Sequence, residues 1–379
     1  MIILLGSLFV LLIIGVPIAY SLGLSALAYF LVEQPMLTAI MPQRFFAGMN
    51  SYALISLPLF ILMGLVMNTG GITARLLDLS LFFVGRMKGG LGLVNVVGSM
   101  IFGGISGSSA SDTASIGSVL IPEMKKRGYP AEFAAGITVA SSTMGMIIPP
   151  SVAMVIYAIV AQESVGKLFL GGIIPGIMVG IFQLFIVWFI AKRKNYPIED
   201  IPFTLDEGLK QLRRSAAVAV MPILIVGSVV FGIATPTETA GMAVFYGILI
   251  GMFISGGAVF KEMPGAMRHA IITSAKIMMI IAFSQLYIWV LTPVLQPAAQ
   301  GVGVSGVHFG VVLVSGLAVG ACTPPVGNCL NVCAAIARMG IGRIFIGAAP
   351  FLLANVLVLI LICLIPGLVM WIPNAVIGG

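Results

Sequence analysis

The stretch GGISGSSASDTAS, residues 103–115, lies between the apolar runs LGLVNVVGSMIF (91–102) and IGSVLI (116–121). It is made of glycines, small hydroxyl side chains and one carboxylate, Asp112. In lipid each unsatisfied backbone amide costs several kcal/mol. Such a segment survives only inside protein or beside a water-filled cavity. The spacing therefore predicts a helix interruption deep in a membrane protein, and the rest of the chain bears on that reading.

Of 379 residues, 60% are hydrophobic and 8% charged, against about 25% charged in soluble domains. Apolar runs of membrane-spanning length recur at 2–14 leading into 18–32, at 172–191, at 216–234 and at 351–372. The fold class is an all-α polytopic membrane protein. The excess of Lys and Arg (19 against 12 Asp and Glu) marks cytoplasmic loops and no nucleic-acid surface. MIILLGSLFVLL has no basic residue ahead of its apolar run and reads as a retained span. The cysteines (Cys322, Cys329, Cys333, Cys363) form no CxxC pair and read as packing residues.

A polar stretch at 192–215, with six Lys or Arg, reads as a cytoplasmic linker between a first repeat (1–191) and a second (216–379). Pro149-Pro150 is followed by Pro175 as Pro324-Pro325 is by Pro350, 26 residues from the first proline in each case. KLFLGGIIP (167–175) answers RIFIGAAP (343–350), and VLIPEM (119–124) answers VLTPVL (290–295). After VLIP come Lys125, Lys126 and Arg127; after VLTP comes uncharged VLQPAAQGVGVSG. Equivalent loops that differ this way face opposite sides of the membrane, so the repeats are inverted.

Inverted-repeat carriers build their sites from broken helices near the midplane. Helix N-termini there attract anions, while freed carbonyls and hydroxyls hold a small hard cation such as sodium. Besides 103–115, the candidate breaks are ASSTMGMIIPPS (140–151) and GLAVGACTPPVGN (316–328). Hairpin-like interruptions are expected around Ser56 and Pro58 (51–60) and around Ser284 and Gln285 (277–289). Gly and Ser also serve close helix packing, but interruptions at repeat-equivalent positions favour a transport site. Asp112 is a functional candidate as an intramembrane acid; the alternative is a wet cytoplasmic loop. Glu238 follows a helix break at Pro236, and His308 reads as a boundary residue.

These stretches, with SLPLFILMGLVMNTGGI (56–72) and ATPTETAG (234–241), resemble the large membrane subunit of tripartite ATP-independent periplasmic (TRAP) transporters over nearly the whole chain. The resemblance implies an elevator-type, sodium-coupled importer of an organic acid in the bacterial inner membrane. The acid would be a C4-dicarboxylate, sialic acid or a similar carboxylate. It also implies two partners: a small four-helix membrane subunit and a periplasmic substrate-binding protein. Carried onto this chain, one sodium site would combine Ser56 with Ser141, Ser142, Thr143 and Pro149. The other would combine Ser284 with Thr323, Pro324, Gly327 and Asn328, and the substrate carboxylate would lie at Ser106, Gly107, Ser108 and Ser109 beside Asp112. No organic cofactor is implied.

The second repeat is short. Pro17 to Pro149 spans 132 residues, while the corresponding Pro236 to Pro324 spans 88, which is 44 fewer. The shortfall falls at LYIWVLTPVLQP (286–297). Loss of one span would invert 293–379, so the reading favours missing residues over a working deletion. Two rival functions remain on the sequence. Gly104-Ile105-Ser106-Gly107 matches the GxSG of rhomboid-type intramembrane proteases, which need a histidine base facing the serine; neither His269 nor His308 suits. A passive channel would not need paired inverted breaks. No GxxxxGK[ST] loop supports ATP-driven pumping.

Overall fold

A computed structural model describes residues 2–378 except 51, 70, 199–204, 256–257, 302–303 and 325–326. Among the described residues there is no strand. The first half contains α1 (Ile2–Ile13), α2 (Ile18–Glu33), α3 (Met41–Met49), α4 (Ser56–Thr69) and α5 (Ile72–Val84). There follow α6 (Gly90–Ser106), α7 (Ser109–Lys126), α8 (Ala131–Ser142), the single turn α9 (Met144–Ile147), α10 (Val152–Ala161) and α11 (Val165–Lys194). The second half contains α12 (Leu205–Val230), α13 (Pro236–Ser255), α14 (Ala258–Gly301), α15 (Gly306–Gly320), α16 (Asn328–Ala337), α17 (Ile341–Leu364) and α18 (Gly367–Val376). Among the described residues five stretches, three of them in the second half, are long and apolar enough to cross a membrane: 131–161, 165–194, 236–254, 259–284 and 341–364. The polar stretch 192–215 takes in the end of α11 and the first turns of α12, and part of it lies outside the described residues.

The repeat read from the prolines is present as structure. α8, a break, α10 and α11 in the first half match α15, a break, α16 and α17 in the second. α10 and α16 each span 10 residues and each ends on a left-handed residue, Gln162 (φ 57°) and Arg338 (φ 53°). Helix contacts come in exchanged pairs: α8 with α17 and α11 with α15, α8 with α16 and α10 with α15. Direction follows from residue register. The start of α11 meets the chain beyond the end of α17, Gly171 lying against Val369. At the other end Phe133 contacts both Tyr196, just past α11, and Phe351 in the first half of α17. α11 and its counterpart α17 therefore run antiparallel, and the repeats are inverted.

Two features lock this core. Gly136 of α8 and Gly347 of α17 approach so closely that a Cβ on either would fall on the other helix's backbone. Phe102, Phe169 and Phe351 are among the largest fully buried side chains, burial worth about 1.5–3 kcal/mol for each.

The opening stretch is a hairpin tip. Near the α6 start Gly89 N donates to Pro197 O (3.2 Å), and just past α7 the Tyr129 hydroxyl donates to the same oxygen (3.4 Å). Both legs thus begin and end on one side, and the turn between them is Gly107 (φ 64°) and Ser108. Gly107 is the residue that can take this left-handed angle without a Cβ clash.

Two expected interruptions are corrected. Residues 52–55 are a 3₁₀ turn leading into α4, and the re-entrant hairpin lies at 90–126 instead. α4 crosses rather than turns back: Tyr52 lies at the start of α13, Met67 beside Gly247 and Gly71 beside Ile254. Around Ser284 no break exists, because α14 continues through it and the Ser284 hydroxyl donates within the helix to Ile281 O (2.8 Å). A serine that back-bonds this way needs no break to be satisfied. At 1.5 Å per residue, α14 is roughly 66 Å long, beyond the bilayer's 40–45 Å.

Candidate substrate and cation site

The hairpin tip faces a cavity of about 860 Å³. Ser106, Gly107, Ser108, Ser109 and Ser111 line one wall, and Val152 and Ala153 of α10 continue it. Asn328 and Val332 of α16 and Leu317, Gly320 and Ala321 of α15 form a second wall. α4 closes the cavity with Ile61, Gly64, Leu65 and Asn68, and α14 with His269, Thr273 and Ile277. The tip is docked on the first break: Val152 N donates to Gly107 O (3.1 Å).

Three helices begin at this cavity. α7 starts after Ser108, α10 after Ser151, and α16 after Gly327, whose left-handed φ of 40° turns the chain. Residues of the first turn of each helix line the space. The first N–H groups of a helix lack intrahelical acceptors and carry the positive end of its dipole. Here Val152 N is given to Gly107 O, Met154 N to the Ser151 hydroxyl and Cys329 N to Ala321 O, so α10 and α16 act on the cavity mainly through their dipoles. Three such ends around one volume attract an anion.

Asp112 lies behind that wall and not in it. It is fully buried, and its backbone N–H closes the first turn of α7 on Ser108 O (3.0 Å). Ser106 Oγ donates to Asp112 Oδ1 and accepts from Ser108 N (3.2 Å). Asp112 Oδ2 has no protein partner. It faces Gly145 in α9, where a Cβ would fall on the carboxylate. A buried carboxylate with one oxygen unmatched is either protonated or matched by a cation, since an unpaired buried charge is very costly. The expectation that Asp112 binds the substrate carboxylate is thereby corrected: it does not line the cavity, and like charges repel.

The hydroxyls of 141–143 are already in use. Ser141 donates to Asn95 Oδ1 (2.9 Å), Ser142 bonds Thr113 (2.6 Å), and Thr143 donates to Ala140 O (2.6 Å) while receiving Asn355 Nδ2 (2.9 Å). They fasten the end of α8 to α6, α7 and α17. A hydroxyl that gives away its proton keeps lone pairs, so both these oxygens and the carbonyls of the break stand as candidate cation ligands. Pro149 O lies close to Gly104 of the hairpin. Ser56 is buried at the start of α4, whereas α4 reaches the cavity only from Ile61 onward. At the second break Thr323 Oγ1 donates back to Val319 O (2.8 Å), Gly327 N donates to Thr323 O (3.1 Å), and exposed Pro324 precedes two residues outside the description. Of this group Asn328 lines the cavity; Ser284, within α14, does not.

Other expectations resolve simply. Ser106 gives its hydroxyl proton to Asp112, so the GISG at 104–107 is a hairpin turn and not a nucleophile paired with histidine. Cys322, Cys329 and Cys333 are buried and Cys363 is exposed. Cys322 and Cys333 point at the α8 carbonyls of Val139 (3.1 Å) and Ala135 (3.6 Å). His308 begins α15 yet is buried, its Nε2 bonded to Ile362 O (2.8 Å). Glu238 caps its own helix by accepting from Thr235 N (2.8 Å).

Residues 5–293 and 287–368 match the family described as Tripartite ATP-independent periplasmic transporter, DctM component. The chain belongs to the DctM family. It is 31% identical to the C4-dicarboxylate TRAP transporter large permease protein DctM of Pseudomonas aeruginosa, over 93% of this chain and 94% of that one. It is 29% identical to the protein of the same name from Rhodobacter capsulatus, over 97% and 98%. To the isethionate TRAP transporter permease protein DctMQ of Oleidesulfovibrio alaskensis it is 32% identical, over 95% of this chain and 64% of that one. The crystal structure of the Alcanivorax borkumensis YdaH transporter, described as having an unusual topology, shares the fold at a TM-score of 0.55 with 14% identity, covering 98% of both chains. The DctM chain is thus a multi-pass TRAP transporter large permease subunit and not an enzyme. The family match stops and restarts at 287–293. The Rhodobacter alignment runs over 430 positions for a chain of 379 residues, so at least 51 positions face a gap here.

Sequence reasoning missed His269 and Thr273 as wall residues. Their spacing with Ile277 (i, i+4, i+8) puts all three on one helix face, which was the available signal.

Proposed function

We propose that this subunit carries an organic carboxylate across the bacterial inner membrane, coupled to sodium entry. The acid is handed over by a periplasmic binding protein, and a small four-helix membrane subunit completes the tripartite system. The observation that carries this reading is the convergence of the α7, α10 and α16 N-termini on one cavity, with the unmatched Asp112 oxygen immediately behind it.

The substrate carboxylate lies against Ser106, Gly107, Ser108 and Ser109. Sodium lies between Asp112 and the freed carbonyls of the first break, as cargo that shares the hairpin tip with the substrate. A second sodium at Thr323–Asn328 would rely on the carbonyls there, since α14 brings no hairpin to it. A sodium ion beneath the tip holds Ser106 and the first turn of α7 in place, which couples cation binding to the anion site. The names of relatives support the substrate class, and the DctMQ name supports a Q-type partner. The cavity lies between α4 and α14 on one side and the hairpin-bearing bundle on the other, with α4 touching the tip where Gly64 meets the Ser106 backbone, and an elevator movement would slide along this interface.

The test is uptake into proteoliposomes containing both membrane subunits and loaded binding protein. Uptake requires an inward sodium gradient; undiminished uptake with potassium in place of sodium refutes the cation site.

A further inference from the structure

The cavity is divided along its length. α4 and α13 run in the same direction, with Tyr52 beside Thr237 and Gly71 beside Ile254, and α14 turns back after α13. The α4–α14 wall therefore begins with Asn68 and His269 at the Pro197 side and ends with Ile61 and Ile277 at the other. α7 adds Ser111 and Ser115 to the polar end, because it runs from the tip back toward that side. α10 runs the opposite way, toward Gly306, and adds Ile156 to the aliphatic end. Leu317, one turn before the end of α15, joins it. His269 is the only ionisable side chain among the lining residues. Among the described residues no Lys or Arg stands in the wall to receive a second carboxylate.

Resting on the proposed carboxylate site, we infer that the preferred substrate is a monocarboxylate with an apolar body, aliphatic or branched. Its carboxylate sits at the three helix N-termini and its body lies against Ile61, Ile156, Ile277 and Leu317. That half is about one helical turn deep, room for a body of about four or five carbons. A polyhydroxylated acid would press hydroxyls onto aliphatic side chains with no partners, and each unmatched hydroxyl weakens binding by about fivefold or more. A short dicarboxylate would strand its second charge in the same place.

The experiment is calorimetric titration of the purified full chain in sodium chloride with acetate, hexanoate, succinate and gluconate. Affinity rises from acetate to hexanoate by about fourfold per methylene, and hexanoate exceeds both succinate and gluconate. Ile156→Ala flattens the acetate-to-hexanoate gain without changing acetate, and Ser108→Ala weakens every acid that binds. Succinate or gluconate binding as tightly as hexanoate, with Ser108→Ala still weakening both, overturns the inference and leaves the site standing. Succinate binding that His269→Ala selectively abolishes also overturns it, by lodging a second carboxylate at the polar end. Indifference of every acid to Ser108→Ala sinks the carboxylate site itself, and the inference with it.

Discussion

Replacing Gly107 with alanine tests whether the hairpin tip must dock on the first break. Gly107 has φ 64°, and a non-glycine residue in that region costs about 1–2 kcal/mol. The new Cβ would lie 2.9 Å from Pro150 O and 3.3 Å from Val152 N. One of those groups must give by a few tenths of an ångström, which strains the Val152 N–H to Gly107 O bond of 3.1 Å. Such a bond contributes about 0.5–1.5 kcal/mol. Together the docked tip loses about 1.5–3.5 kcal/mol, a roughly ten- to several-hundred-fold shift away from docking. Sodium-driven uptake in proteoliposomes should fall accordingly, and a cysteine at Ser111 should react faster with a maleimide. Gly128→Ala is the control. Gly128 also has positive φ (83°), but nothing lies within 4 Å of its Cβ position, so that variant carries the backbone strain without the collision. Uptake and labelling unchanged in Gly107→Ala, or equally altered in Gly128→Ala, would refute the docking argument.

Asp112→Asn removes the charge under the tip while keeping its shape; uptake should lose its sodium dependence and most of its rate, measured as initial rate against sodium concentration. Gly347→Val drives a side chain into the Glu132 backbone of α8, so the thermal unfolding midpoint in detergent should drop markedly, with loss of more than about 3 kcal/mol. Cysteines at Lys126 and at Val304, at the end of α7 and just before α15, should label from opposite faces of the membrane with an impermeant reagent; same-face labelling removes the inverted repeat.

Much of this architecture could be read in the residues, and the limits have physical reasons. Double prolines, matched RIFIGAAP-like runs and the Lys125–Arg127 cluster identified an inverted repeat, because those signals report helix breaks and sidedness directly. The polar run 103–115 announced an interruption. It did not announce a reversal, since a broken helix and a hairpin demand the same glycines and hydroxyls. Ser141, Ser142 and Thr143 read as cation ligands, and only packing shows that their protons go to carbonyls three or four residues back or to a neighbouring helix, which orients their oxygens. Ser284 failed as a break marker for the same reason. The polar wall residue His269 stayed hidden because the neighbouring KEMPGAMR looks like a surface arm, and only packing shows which face of α14 turns inward.

The shortfall in the second repeat follows a simple topological rule. Loss of a span would invert everything after it, but the first repeat shows what the absent segment corresponds to. VLIPEM lies within α7, the second leg of the hairpin, and its partner VLTPVL lies within α14. The family match breaks between those same residues, at 287–293. By the proline register the absent stretch corresponds to α5, α6 and the first half of α7, while the second half of α7 keeps its counterpart within α14. α15 starts beside the start of α11, Gly171 lying against Val311, and α17 runs antiparallel to α11, so the helices on either side of the shortfall keep the inverted order. The shortfall leaves those orientations as they are. Its effect falls on the site. In the first repeat two helix N-termini, α7 and α10, reach the cavity; in the second only α16 does, and the uninterrupted flank of α14 stands where a second tip would bring hydroxyls and amides. In the proposed reading the anion is held from one repeat more than from the other, and the unmatched Asp112 oxygen beneath the single tip is where sodium and substrate would meet.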